Sequence, residues 1–176
     1  MSDATLTSGS TRPAAVRLER QLPDPPPVIW SALTDPEQLK AWFPCEVSVA
    51  DGRWQVGAAL TFRFPVDTMD GLTLTGEVLE LDEPRRLAYT WGEELLRFEL
   101  VPNDGGTTLV LVHELEPPTA ARSAAGWEDC LDRLAGIEPV PGAWRARFTI
   151  YTATFEPELG HQDGPPPEYK GTADKS

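Results

Sequence analysis

Apolar and polar positions alternate along the first two thirds of the chain, and a helical period replaces that alternation in the last third. Residues 15–22 (AVRLERQL) place Val16, Leu18 and Arg20 on one side and Arg17, Glu19 and Gln21 on the other, which predicts a strand. The prolines at 25, 26 and 27 are tolerated in the first turn of a helix. They lead into VIWSALT, where Val28, Ile29, Ala32 and Leu33 form one apolar face. Asp35 can cap a second short helix over PEQLKAWF, with Pro36 at its first position and Gln38 three residues on. Pro44 ends it.

Six further strands are predicted in series. CEVSVA alternates and runs into the turn signal Asp51-Gly52. Leu60, Phe62 and Phe64 share a face, as do Leu87, Tyr89 and Trp91, then Leu96, Phe98 and Leu100, then Leu109, Leu111, His113 and Leu115. Between the first two sets, Leu72 and Leu74 lie in one phase and Leu79 and Leu81 in the other. The flip predicts a bulge near Gly76. Residues 103–106 (NDGG) read as a hairpin turn, and such short links favour antiparallel pairing.

From Thr119, a candidate N-cap, residues 120–135 read as helix. Ala124, Trp127, Leu131 and Leu134 form its stripe with Cys130 alongside, and Glu128, Asp129, Asp132 and Arg133 lie around the expected solvent side. After the break GIEPVPG, Trp144, Phe148, Tyr151 and Phe155 recur at helical spacing, although Thr149, Ile150, Thr152 and Thr154 favour strand. Helix is the reading adopted. Residues 1–14 and 159–176 read as flexible tails, which leaves one α+β domain over residues 15–158.

Composition narrows the function classes. Lys and Arg number 15 against 28 Asp and Glu, a net charge of −13, which disfavours phosphate backbones and anionic membrane surfaces as partners. Cys45 and Cys130 form no CxxC pair, and the two histidines, His113 and His161, are far apart in the chain. No disulfide framework, metal site or cofactor motif follows from them. The opening residues contain no signal-peptide core, and no apolar run reaches membrane-spanning length. A cytoplasmic protein with reduced thiols is expected. Glu77 and Glu80 face opposite sides of a strand, and Gly105-Gly106 belongs to a hairpin, so neither is a catalytic motif.

Four stretches, VIWSALTDPEQLKAWF, GEVLELDEPRRLAYTW, GGTTLVLVHE and AAGWEDCLDRL, closely resemble the AHSA-type family, named for an activator of the heat-shock protein 90 ATPase. That family lies within the START-like, or SRPBCC, helix-grip superfamily. The resemblance covers about residues 15–136 and is expected to extend through the helical segment to 157. It implies a curved seven-stranded antiparallel sheet around a long C-terminal helix, two short helices after the first strand, and a cavity between sheet and helix. The second aromatic segment and the polar tail depart from the family pattern.

Fold alone does not assign an activity. The cavity implied by the resemblance would draw walls from Trp42, Phe62, Tyr89, Trp91, Phe98 and Trp127, a set that would serve equally as plain core. Gly126 would leave room beside Trp127. His113, in phase with Leu109 and Leu111, is either a hydrogen-bonded core histidine or a group that orients a ligand's polar end. The expected function is non-enzymatic binding of a small apolar or amphipathic molecule, in a stress-related or regulatory role, by a monomer or homodimer. The alternatives are a protein-interaction or co-chaperone-like module and a cavity enzyme, such as a cyclase or hydrolase, that depends on His113.

Overall fold

The computed structural model describes residues 4–9 and 12–166. Its strands are β1 (Thr5–Gly9), β2 (Arg12–Leu22), β3 (Glu46–Val49), β4 (Ala59–Arg63), β5 (Thr73–Asp82), β6 (Arg86–Trp91), β7 (Glu94–Asn103) and β8 (Gly106–Glu114). They form one antiparallel sheet in the order β1-β2-β8-β7-β6-β5-β4-β3. The helices are α1 (Pro26–Thr34), α2 (Pro36–Leu39), α3 (Val66–Met69), α4 (Ala120–Leu134) and α5 (Ala143–Leu159). The described sheet thus has eight strands rather than seven. The extra one, β1, lies in the segment expected to be a tail. It has a single large apolar residue, Leu6, too few for alternation to reveal it, yet it pairs with β2 through Thr5↔Arg17, Leu6↔Val16 and Thr7↔Ala15.

The two short helices after β2 follow their prolines. Asp35 caps α2 by accepting from the Glu37 amide at 2.9 Å. The helix stops at Leu39 rather than running to Phe43, because the chain turns there to bury Trp42 and Phe43. On α1, Trp30 joins Ile29 and Leu33 in the core while Val28 is exposed.

The bulge in β5 sits at Leu79, between Val78 and Glu80, and not at Gly76. The extra residue turns Leu79 outward and restores Leu81 to the inner face. Gly76 answers a different constraint. A Cβ there would lie 1.9 Å from the Thr90 carbonyl oxygen, so the two strands can approach only where no side chain intervenes.

Helix α4 packs across the concave sheet. Ala120, Ala121, Ala124 and Ala125 are fully buried, and their small side chains let the helix approach closely. Thr119 occupies the N-cap position, but its hydroxyl bonds the Glu116 carbonyl instead of the helix. The cap comes from the segment expected to be the second tail. Buried Gln162 accepts from the Ala121 amide at 2.9 Å and donates to the Pro117 carbonyl at 3.1 Å. Residues 167–176 of that segment lie outside the described residues.

Helix α5 forms as its aromatic spacing predicts. Its β-branched threonines are accommodated because the Thr149 and Thr154 hydroxyls donate to carbonyls one turn back, at 3.0 and 2.8 Å. It covers the face of α4 that was expected to meet solvent, so Glu128 and Asp132 are buried. Arg147 on α5 compensates them. Its Nε lies 3.0 Å from Glu128, one Nη contacts Asp129 and the other is 2.6 Å from Asp132. Arg20 on β2 also reaches Asp132, at 2.5 Å, and the Tyr151 hydroxyl donates to Glu128 at 2.9 Å. The periodicity of 120–135 was correct, but a polar stripe alone does not say whether water or an arginine will face it.

Burial drives the Glu128 and Asp129 carboxyls above their ordinary range, and the arginines only partly offset it. Burial acts on Asp132 in the same direction, but hydrogen bonds from Arg147 and Arg20 outweigh it and hold that carboxyl low.

Two variants test this account. Arg147→Met removes the cation from Glu128 and Asp129 and leaves Asp132 with Arg20 alone, and should cost about 3 kcal/mol at neutral pH by denaturant titration. Carboxyls deprived of their cation have raised folded-state pKa values and take up protons on folding, so the deficit should narrow as pH falls towards about 5. An unchanged midpoint would show that α5 is held by other contacts. Gly76→Ala should cost at least about 3 kcal/mol, because the collision is with backbone rather than a movable side chain. A change below about 1 kcal/mol would show that the strands separate there easily.

Candidate functional site

Along α4, the aromatic core opens into a hollow of about 580 Å³. Trp91 from the end of β6, His113 from β8 and Trp127 from the middle of α4 line it, together with Phe64, Glu94 and Trp144. Trp91 and Trp127 have ring centroids 5.5 Å apart, and His113 lies 5.5 Å from Trp91 and 6.0 Å from Trp127. The structure therefore brings three of the seven candidate residues to the hollow. Trp42, Phe62, Tyr89 and Phe98 lie in the packed core, each nearly or fully buried. Phe62 stacks on Tyr89 at 5.6 Å, Trp42 meets Phe98 edge-on at 6.3 Å, and the Trp42 indole donates to the Ala32 carbonyl at 2.9 Å.

His113 is almost completely buried and both its ring nitrogens are engaged. The Trp127 indole N–H donates to Nδ1 at 3.0 Å. An indole nitrogen can only donate, so Nδ1 must hold a lone pair, and the ring proton sits on Nε2. That nitrogen contacts the Glu94 carboxylate on β7. The result is a directed chain, Trp127 to His113 to Glu94, in a neutral imidazole tautomer. Glu94 was invisible to alternation, because it begins β7 beside a turn and is polar in a polar run. Only its partner, His113, was signalled.

Gly126 lines the hollow, and a Cβ there would meet nothing closer than the Trp144 indole nitrogen at 3.9 Å. A Cβ at 126 would thus sit in ordinary contact with Trp144, and a larger side chain would enter the hollow. Residues 165 and 166, beyond the Gln162 cap, also contribute to the wall. Arg122 and Arg133 stand on it with other partners, the Gly164 carbonyl at 3.1 Å and Glu138 at 3.7 Å. A second hollow of about 680 Å³ shares Trp91 and Glu94 with the first and carries Glu93, Glu114 and Glu116.

The remaining polar groups are quiet. Cys45 and Cys130 are buried and unpaired, and burial raises both thiols, Cys130 to about 12, so neither is a ready nucleophile. The Trp91 Nε1 is buried without a conventional hydrogen-bond partner, and its weak interaction with the Cys45 sulfur tempers that thiol's rise. Among the described residues, no helix is long and apolar enough to cross a membrane.

Several solved structures share this architecture. CalU16 from Micromonospora echinospora aligns with a TM-score of 0.68 and 22% identity, over 89% of this chain and 99% of its own. Protein CV1439 from Chromobacterium violaceum gives 0.59 and 27%, over 72% and 99%. DynU16, described as a protein of the dynemicin biosynthetic locus, gives 0.58 and 27%, over 69% of this chain and 46% of its own. No curated protein matches the chain. Residues 24–137, from the turn before α1 to just past the end of α4, match the family described as activator of Hsp90 ATPase homolog 1-like protein, and the chain belongs to that family.

Proposed function

We propose that the protein binds a small apolar or amphipathic molecule in the hollow between α4 and the sheet. The observation that carries this reading is the hollow itself. Its volume of about 580 Å³ lies within the range of small-molecule sites, and its walls combine the rings of Phe64, Trp91, Trp127 and Trp144 with charged and hydroxyl side chains. Gly126 faces the hollow without a clash to a Cβ, so this position can report on how far the space is occupied. The polar chain from Trp127 to Glu94 supplies an orienting group at one end. A general-base role for His113 would first require one of its two hydrogen bonds to break, which favours binding over catalysis. DynU16's place in a biosynthetic locus agrees with a site for a small organic molecule.

Native mass spectrometry of protein purified from its own host, with two substitutions at one position, tests the reading. Wild type and Gly126→Ala should retain a small molecule, with the alanine variant as stable or up to about 1 kcal/mol more stable. Gly126→Phe should fill the hollow and lose that molecule while keeping the wild-type circular dichroism spectrum. Retention by a folded phenylalanine variant would place the ligand elsewhere.

A further inference from the structure

We infer that the ligand of this hollow carries a hydrogen-bond-donating cationic end, an amine on an aromatic or apolar body, and that the Glu94 carboxylate receives it. The inference rests on the binding role proposed above and names the chemistry of the bound molecule.

The geometry gives the reason. Glu94 lines both hollows, and its side chain keeps about a quarter of its surface, 27%, open. Its one hydrogen bond among the described residues comes from His113, through Oε2. The imidazole that makes this bond is neutral, because Trp127 occupies its other nitrogen as a donor. Glu94 is thus oriented but not neutralised. An uncompensated carboxylate against apolar walls favours an opposite charge.

The walls suit the same guest. Trp91, Trp127 and Phe64 line the same hollow as that carboxylate, and aromatic faces attract ammonium groups. The two arginines of the hollow do not answer Glu94, since Arg122 bonds the Gly164 carbonyl and Arg133 pairs with Glu138. Asp129, the other acid on the wall, is held by Arg147. In the adjoining hollow Glu114 is paired with Arg97, 3.6 Å away, and Glu93 and Glu116 are exposed. At Glu94 itself an anionic guest would meet a carboxylate where an amine meets a partner.

Calorimetry of the full chain with three matched probes tests this: 2-naphthylmethylamine, which is an ammonium ion at neutral pH, 2-naphthylmethanol and 2-naphthoate. The ammonium probe should bind at least about tenfold more tightly than the carboxylate probe. Glu94→Gln should remove most of that preference and leave the alcohol within about threefold of its wild-type affinity. Glu93→Gln makes the same charge change one residue away on an exposed side chain and should leave the preference intact. A preference that survives Glu94→Gln, or falls equally in both variants, would overturn the inference and show only general attraction to an acidic protein. Equal or tighter naphthoate binding in wild type would overturn it while leaving the binding role standing. If none of the three probes binds, the inference falls together with that role.

Discussion

Helix α4 is buried on two sides, and the second burial is the constraint on which the architecture turns. One face is alanine-rich and rests on the sheet. The other carries Glu128, Asp129 and Asp132, which cannot leave water without a counter-charge. Arg147 supplies it from α5, with Arg20 reaching Asp132 from β2. Two elements far apart in sequence, α5 and β2, are thereby tied to one helix. The ties extend further, because Tyr151 bonds Glu128 and also accepts from the Ala4 amide ahead of β1. Polar contacts thus join α5 both to α4 and to the residue ahead of β1.

The site depends on that helix being fixed. Trp127 sets the tautomer of His113, which in turn orients Glu94, so the placement of α4 decides which way a hydrogen-bond chain runs across the hollow. The aromatic cluster works in the same direction. Phe43 packs on Trp127 at 5.6 Å and on Trp91 at 6.2 Å, and it joins the turn after α2 to both walls.

Period reads which residues turn inward, and here it read most of them. Seven of the described strands and helices α1, α2, α4 and α5 follow from alternation, spacing and proline placement, whereas the four-residue α3 does not. What period does not carry is the identity of the partner. The acidic stripe of α4 looked like a water-facing surface because nothing local distinguishes water from Arg147. Gln162 looked like tail because a single buried amide leaves no pattern. Strand β1 has only Leu6 to mark it, and pairing with β2 supplies what its sequence lacks. At the site the same rule applies. Trp91, His113 and Trp127 were legible as inward residues, whereas Glu94 becomes meaningful only through a contact across two strands. Trp42, Phe62, Tyr89 and Phe98 show the converse, since an inward aromatic residue is more often packed than exposed to a cavity.

The Gln162 cap separates ancestry from architecture. The stretch shared with the family closes at residue 137, yet the amide that finishes the first turn of α4 comes from twenty-five residues beyond that limit. Two wall positions of the hollow, 165 and 166, lie further still. Part of the chamber's lining therefore lies outside the stretch that the family model describes. Relatives that match over the common stretch alone can hold the same helix against the same sheet and still offer a differently shaped chamber, so kinship in this family does not by itself transfer a guest from one member to another.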